Sequence, residues 1–246
     1  MIASGPWGEI RHRQPRLDCE GAPTTGVTIV EQAFRLTIPR TLEETCDPTR
    51  AALIVYDMQV GIVSQLPDGG TITQRVAEVR QAARDGGVRV LYTRHMSLPK
   101  EVAGVMQLRT TMEWQRVERV ADVKPAFLRD SPAFQIVPEL VPAPSEVVFD
   151  KITMSAFEGT PLNITLRDCS LNAFVIVGIA LEVGIEPTVR HATDLGYIPI
   201  VVTDACGSRD KVAARRALDS LAFAGGSLQT DVKTICALFR RSRGRS

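Results

Sequence analysis

The chain has 246 residues, 44% of them hydrophobic, enough to bury a substantial core in one α/β domain. Its 29 basic and 28 acidic residues nearly cancel, which excludes the strong single-sign field that gathers nucleic acid or an anionic membrane. Five cysteines without a CxxC pair fit reduced thiols in a cytosol, and no apolar run approaches the roughly 18 residues of a membrane span.

From Met1 to about Gly26 the sequence is polar and aperiodic, so it reads as a disordered or loosely draped extension, with charges and prolines where a secretion signal would need an apolar stretch. Residues 27–239 are expected to form one domain, and 240–246 a solvated basic tail carrying Arg240, Arg241, Arg243 and Arg245. Within the domain, AALIVYD (Ala51–Asp57) reads as a first strand. Thr71 and Gln74 stand in capping-box spacing before Ile72, Val76, Val79 and Ala83, predicting a helix closed by Gly86 and Gly87. Further strands are predicted at Val88–Thr93, Glu146–Asp150, Ala173–Gly178 and Ile198–Asp204. Each reads as a continuous rather than an alternating apolar run, as buried parallel strands do.

Helices are expected at Pro161–Asp168, Ile185–Leu195 and Asp210–Phe223, while Thr230–Phe239 reads equally as helix or strand. Pro99–Arg129 shows no strand signal, is long for a crossover, and is expected to cover the site as a lid. Strands alternating with helices predict a three-layer α/β/α sandwich around a mainly parallel sheet of about six strands. No GxGxxG or GxxxxGK[ST] motif supports nucleotide binding.

Ligands of such sheets bind beyond the carboxyl ends of the strands, where the strand order reverses. Three places qualify: Asp57 with Gln59 after the first strand, Lys151 after the third, and the turn Gly178–Gly184 after the fourth. With strand order 3-2-1-4-5 the lysine must reach about 10 Å across one strand, within range of its side chain and loop. Taken singly, Asp57 reads equally as a turn cap and Lys151 as a solvated end.

The segments ALIVYDMQ, DKITMSAFEGTPL and GIALEVGIEPTVRHATDLGYIPIVVTDACG resemble, in that order, the three signature segments of the isochorismatase-like, or cysteine hydrolase, superfamily. The resemblance implies a Rossmann-like fold and a small-molecule hydrolase without a cofactor. It makes Asp57 and Lys151 catalytic and puts Gly184 at the position of the family's nucleophilic cysteine. Glycine has no thiol, so the covalent route of the family's amidases is closed there. True isochorismatases also carry glycine at this position and cleave a vinyl ether without a covalent intermediate. By that precedent Asp57 is expected to act as general acid or base and Lys151 to hold substrate charge. The Gly184 N–H, with a neighbour at Ile179 or Ala180, is the expected anion holder, and Ile179–Ala180 the expected cis bond.

The turn departs from that of isochorismatases by having Ala180 and Glu182 where they carry an aromatic residue and a histidine, so isochorismate itself is not assigned. The alternative is a disarmed amidase relative that binds a small molecule or another subunit. Gln59, Arg94, His95, Trp114, Phe157, Ile179 and Ala180 are the expected substrate-binding residues, and Arg109 a weaker candidate in the lid. No metal site is expected, since the Asp-x-His pair of related nicotinamidases becomes Thr93 and His95. A homo-oligomer, dimer or tetramer, is implied by the same resemblance. Among other nucleophiles, Cys206 is the thiol to test, and no histidine and acid are placed to activate Ser155.

Overall fold

Phe34 and Arg35 both take positive φ, the geometry of a type I′ turn, and close a hairpin of β1 (Glu31–Ala33) and β2 (Leu36–Ile38). The computed structural model describes residues 30–242, so the expected extension 1–26 and the last four tail residues lie outside the description. The chain divides into two units after Ile38 instead of near Gly26, and the hairpin is the described part of the first.

The second unit begins with the short helix α1 (Leu42–Thr45), whose N-cap Thr41 and Glu44 form a reciprocal capping box. The charge-free run AALIVY then becomes β3 (Ala51–Tyr56), buried along its whole length. After the short α2 (Val60–Val63) comes α3 (Gly69–Asp85), which starts earlier than its capping-box pattern predicts. Asp68 is its N-cap, making no side-chain capping bond, and Thr71 lies inside the first turn. Next come β4 (Arg89–His95), α4 (Val105–Gln115), β5 (Val147–Lys151), α5 (Leu162–Asp168) and β6 (Ala173–Ile179). The chain ends through α6 (Glu186–Asp194), β7 (Ile198–Gly207), α7 (Lys211–Ala224), β8 (Leu228–Thr230) and α8 (Val232–Ser242). The ambiguous C-terminal stretch is thus a helix, which takes Arg240 and Arg241 of the expected tail into its last turn.

The six-stranded sheet is parallel throughout, in the order β5-β4-β3-β6-β7-β8, which extends the expected 3-2-1-4-5 order by one unpredicted edge strand. Its two faces collect separate cores. Leu53, Val55, Val76 and Val79 pack with Ile235 and Phe239 on the face of α3 and α8. Ile54, Tyr56, Leu162, Leu166, Val189 and Leu221 pack on the face of α5, α6 and α7. Right-handed crossovers require this split, because the chain leaves β3 toward β4 in one direction and β6 toward β7 in the other. The reversal falls between β3 and β6, whose carboxyl ends therefore open a crevice.

Candidate active site

Asp57 follows β3 at φ 47, in the left-handed region that non-glycine residues seldom adopt, and only 3% of it is exposed. Its Oδ2 accepts from Lys151 Nζ at 2.7 Å, and its Oδ1 from Thr93 Oγ1 at 2.6 Å. The predicted reach of Lys151 across β4 is therefore made. The ammonium also donates to the Thr153 carbonyl at 3.2 Å and lies 4.3 Å from the centre of the Tyr56 ring. Burial lowers the basicity of Lys151, and the charge of Asp57 opposes that shift. Thr93, the residue that replaces the aspartate of the expected metal pair, is a donor to Asp57. Among the described residues no cluster of three His, Cys, Asp or Glu side chains could hold a metal ion.

A cavity of about 1120 Å³ opens above this pair, lined by Tyr56, Asp57, His95, Trp114, Ile179, Ala180 and Gly184. The Ile179–Ala180 peptide is cis, as expected. Gly184 sits in a π-helical turn (Leu181–Ile185), and its N–H donates to the Ala180 carbonyl at 3.0 Å. The anion-holding role expected of that N–H is therefore taken by an internal bond. The Pro99–Arg129 segment is strand-free, as expected. Its helix α4 has no buried residue, and it brings Trp114, Gln115, Arg116 and Phe127 to the cavity wall.

Three expected binding residues are turned elsewhere. Gln59 is fully buried, its amide donating to the carbonyls of His95 and Phe134 while accepting from the His95 N–H. It braces the end of β4 and has no atom left for substrate. Arg94 forms a double bond of charge with Asp150, at 2.8 and 3.2 Å, beneath which its guanidinium covers the Phe134 ring. Strand alternation puts it on the side opposite Thr93 and His95. Phe157 stacks on Tyr197 with ring centres 5.5 Å apart and belongs to the core. Arg109 is exposed and does not line the cavity.

His95 faces the cavity and packs edge-on against Phe127. Burial lowers its basicity, Lys151 adds to this, and Asp57 opposes it. His95 Nδ1 and Glu182 Oε2 have no hydrogen-bond partner among the described residues. Contrary to expectation, Ser155 does meet a histidine, His191 Nδ1 at 2.9 Å, but its Oγ also accepts from the Phe157 N–H and the pair lies outside the cavity. Cys206 is buried against the Ile176 carbonyl, and burial pushes its thiol well above the usual range, so it is an inert core residue. None of the four described cysteines lines the cavity.

Sequence reasoning passed over Tyr56, Arg116 and Arg209, all at the cavity wall. An aromatic residue just before the strand-terminal aspartate was the available signal for the first. Nothing local marks the two arginines, which the fold brings together from distant loops.

A profile of the isochorismatase domain matches residues 51–232. The chain belongs to the isochorismatase family. The ureidoacrylate amidohydrolase RutB of Methylobacterium radiotolerans is 30% identical over an alignment of 176 residues that covers 65% of this chain and 67% of that one. A cysteine hydrolase from Pseudomonas syringae pv. phaseolicola superposes with a TM-score of 0.69 at 23% identity, covering 80% of this chain and 96% of the other. An isochorismatase family protein from Burkholderia thailandensis gives a TM-score of 0.64 at 28% identity, covering 79% and 97%. The chain is therefore a family hydrolase by class, and its six-stranded parallel sheet flanked by helices is the family fold. Among the described residues no helix is long and apolar enough to cross a membrane.

Proposed function

We propose that this isochorismatase-family protein hydrolyses a small, carboxylate-bearing molecule without a covalent cysteine intermediate. The observation that carries the reading is the buried ion pair of Asp57 and Lys151, 2.7 Å apart, in which Asp57 lines a cavity and Lys151 stands behind it, with no thiol of the described residues in the cavity wall. Paired with an ammonium, Asp57 is a carboxylate that takes a proton from water as that water attacks the substrate, then returns it to the leaving nitrogen or oxygen. Lys151 holds the charge that develops beside it. Arg116 and Arg209 line the cavity mouth, exposed and without an ion pair among the described residues, and suit a substrate carboxylate. Small ureido and carbamoyl acids are the candidates that this base-first step fits, given the amidohydrolase relative; an enol ether instead needs Asp57 to act first as an acid that delivers a proton to the vinyl carbon before water adds.

The same expectation of a homo-oligomer stands, supported by Val105 and Met106 on the exposed face of α4. Light scattering of the purified chain checks it; a monomer at working concentration overturns it.

A second reading, a disarmed relative that only binds, draws support from the internal bond of the Gly184 N–H. A hydrolysis screen against isochorismate, other enol ethers and small ureido acids and amides separates the two. Turnover by the native chain that is lost in Asp57→Asn and in Lys151→Met supports the enzyme. Turnover undiminished in Asp57→Asn overturns the mechanism, and binding without turnover favours the second reading.

A further inference from the structure

A Cβ built on Gly184 would fall inside the Tyr56 side chain, 2.5 Å from both Cε1 and Cζ and closer still to the hydroxyl. Real Cβ atoms never approach so near, and a ring fixed on a buried strand cannot swing aside as a long flexible side chain can. Tyr56 is held from three sides. Its backbone pairs with Gly178 of β6, its hydroxyl donates to the Met154 carbonyl, and Lys151 Nζ lies against its ring. Gly184 is buried and not at positive φ, so glycine is not demanded by backbone conformation; the neighbouring phenol demands it.

We infer that Tyr56 has taken the seat of the missing thiol: its phenol fills the volume of any residue-184 side chain, and its hydroxyl is a hydrogen-bond donor to the bound substrate. This rests on the hydrolytic reading of Asp57 and Lys151 for its chemical half, but its packing half stands alone. Burial, with the charge of Asp57 behind it, keeps the phenol protonated well above its ordinary range, so it donates and does not attack. No bond to Tyr56 forms or breaks. The O–H turns from the Met154 carbonyl to the substrate oxygen on which negative charge gathers as water adds, and turns back when product leaves.

Two measurements test this. For the packing, thermal unfolding is followed in a cycle of Gly184→Cys, Tyr56→Val and the double variant, with Ellman's reagent as thiol probe. Gly184→Cys alone is expected to lower Tm by about 3–10 °C, but by less than about 2 °C in the Tyr56→Val background. In the double variant the new thiol, in the cavity wall, should react about tenfold faster than the buried Cys46, Cys206 and Cys236. A Gly184→Cys protein as stable as the native chain overturns the inference. For the chemistry, Tyr56→Phe keeps the ring and removes only the donor, and should lower kcat about 10–100-fold with KM little changed, on the best substrate of the screen above. Unchanged kcat in Tyr56→Phe, with activity still lost in Asp57→Asn, overturns the donor role and leaves the hydrolytic reading standing. A native chain that turns over nothing removes both, while the stability cycle still decides the packing.

Discussion

Replacing Lys151 by methionine leaves the stem in place and removes the ammonium. Asp57 and Lys151 expose 5% and none of their side chains, so solvent does not take the ammonium's place. The carboxylate keeps Thr93 Oγ1 but loses its bond to Nζ at 2.7 Å. Removing one partner of a buried ion pair typically costs about 3–5 kcal/mol, because the other charge stays desolvated and unpaired. For a chain of this size that amounts to a fall in Tm of about 6–20 °C. The double variant Asp57→Asn/Lys151→Met removes both charges and should recover most of that loss, since a neutral pair there has little to desolvate. Urea unfolding of the three variants and the native chain at neutral pH measures the coupling directly. A Lys151→Met protein within about 1 kcal/mol of native would refute the assignment of an unscreened buried pair.

Arg94→Ala should cost about 1–2 kcal/mol in urea unfolding, by loss of its paired bonds to Asp150 and its cover over Phe134, yet leave kcat/KM within about twofold because the guanidinium faces away from the cavity. Trp114, 56% exposed on α4, touches little core, so Trp114→Ala should shift stability by less than about 0.5 kcal/mol while raising KM for the screened substrate; an unchanged KM removes it from the site. Burial holds His95 neutral in the folded chain to lower pH than in the unfolded one. Below about pH 6.5 the unfolded state therefore binds the extra proton, and stability falls with falling pH until the folded histidine titrates. His95→Asn should flatten that slope in thermal scans between pH 7 and 5.

The strands were legible because a strand covered on both faces carries an unbroken apolar run, as β3 and β6 do along their length and β4, β5 and β7 do ahead of their polar ends. The start of α3 was not. Thr71 and Gln74 have the right spacing for a cap, but the N-cap is Asp68, three residues earlier, at a Gly69 whose added Cβ would meet the Val63 carbonyl, a contact invisible locally. β8 is three residues between a glycine pair and a helix, too short to show a pattern. In the site, Asp57 and Lys151 could be read from strand ends, since topology brings those ends together. Arg94 was misplaced, although alternation along β4 already separates it from Thr93 and His95. Gln59 and Phe157 needed knowledge of their neighbours, because an amide or a ring serves packing and recognition equally well. The Tyr56 and Gly184 contact joins residues far apart in sequence, each unremarkable alone.

The backbone of Asp57 gives the site a history as well as a shape. A left-handed aspartate loses about 1 kcal/mol against the basins its neighbours occupy, and glycine would sit there at ease. Random substitution pushes steadily toward such relief, together with exchange of the desolvated lysine for an apolar residue. A scaffold indifferent to chemistry would drift downhill at both positions. Asp57 and Lys151 both cost folding stability where they stand, which is the cost that a site kept for the proposed chemistry would carry.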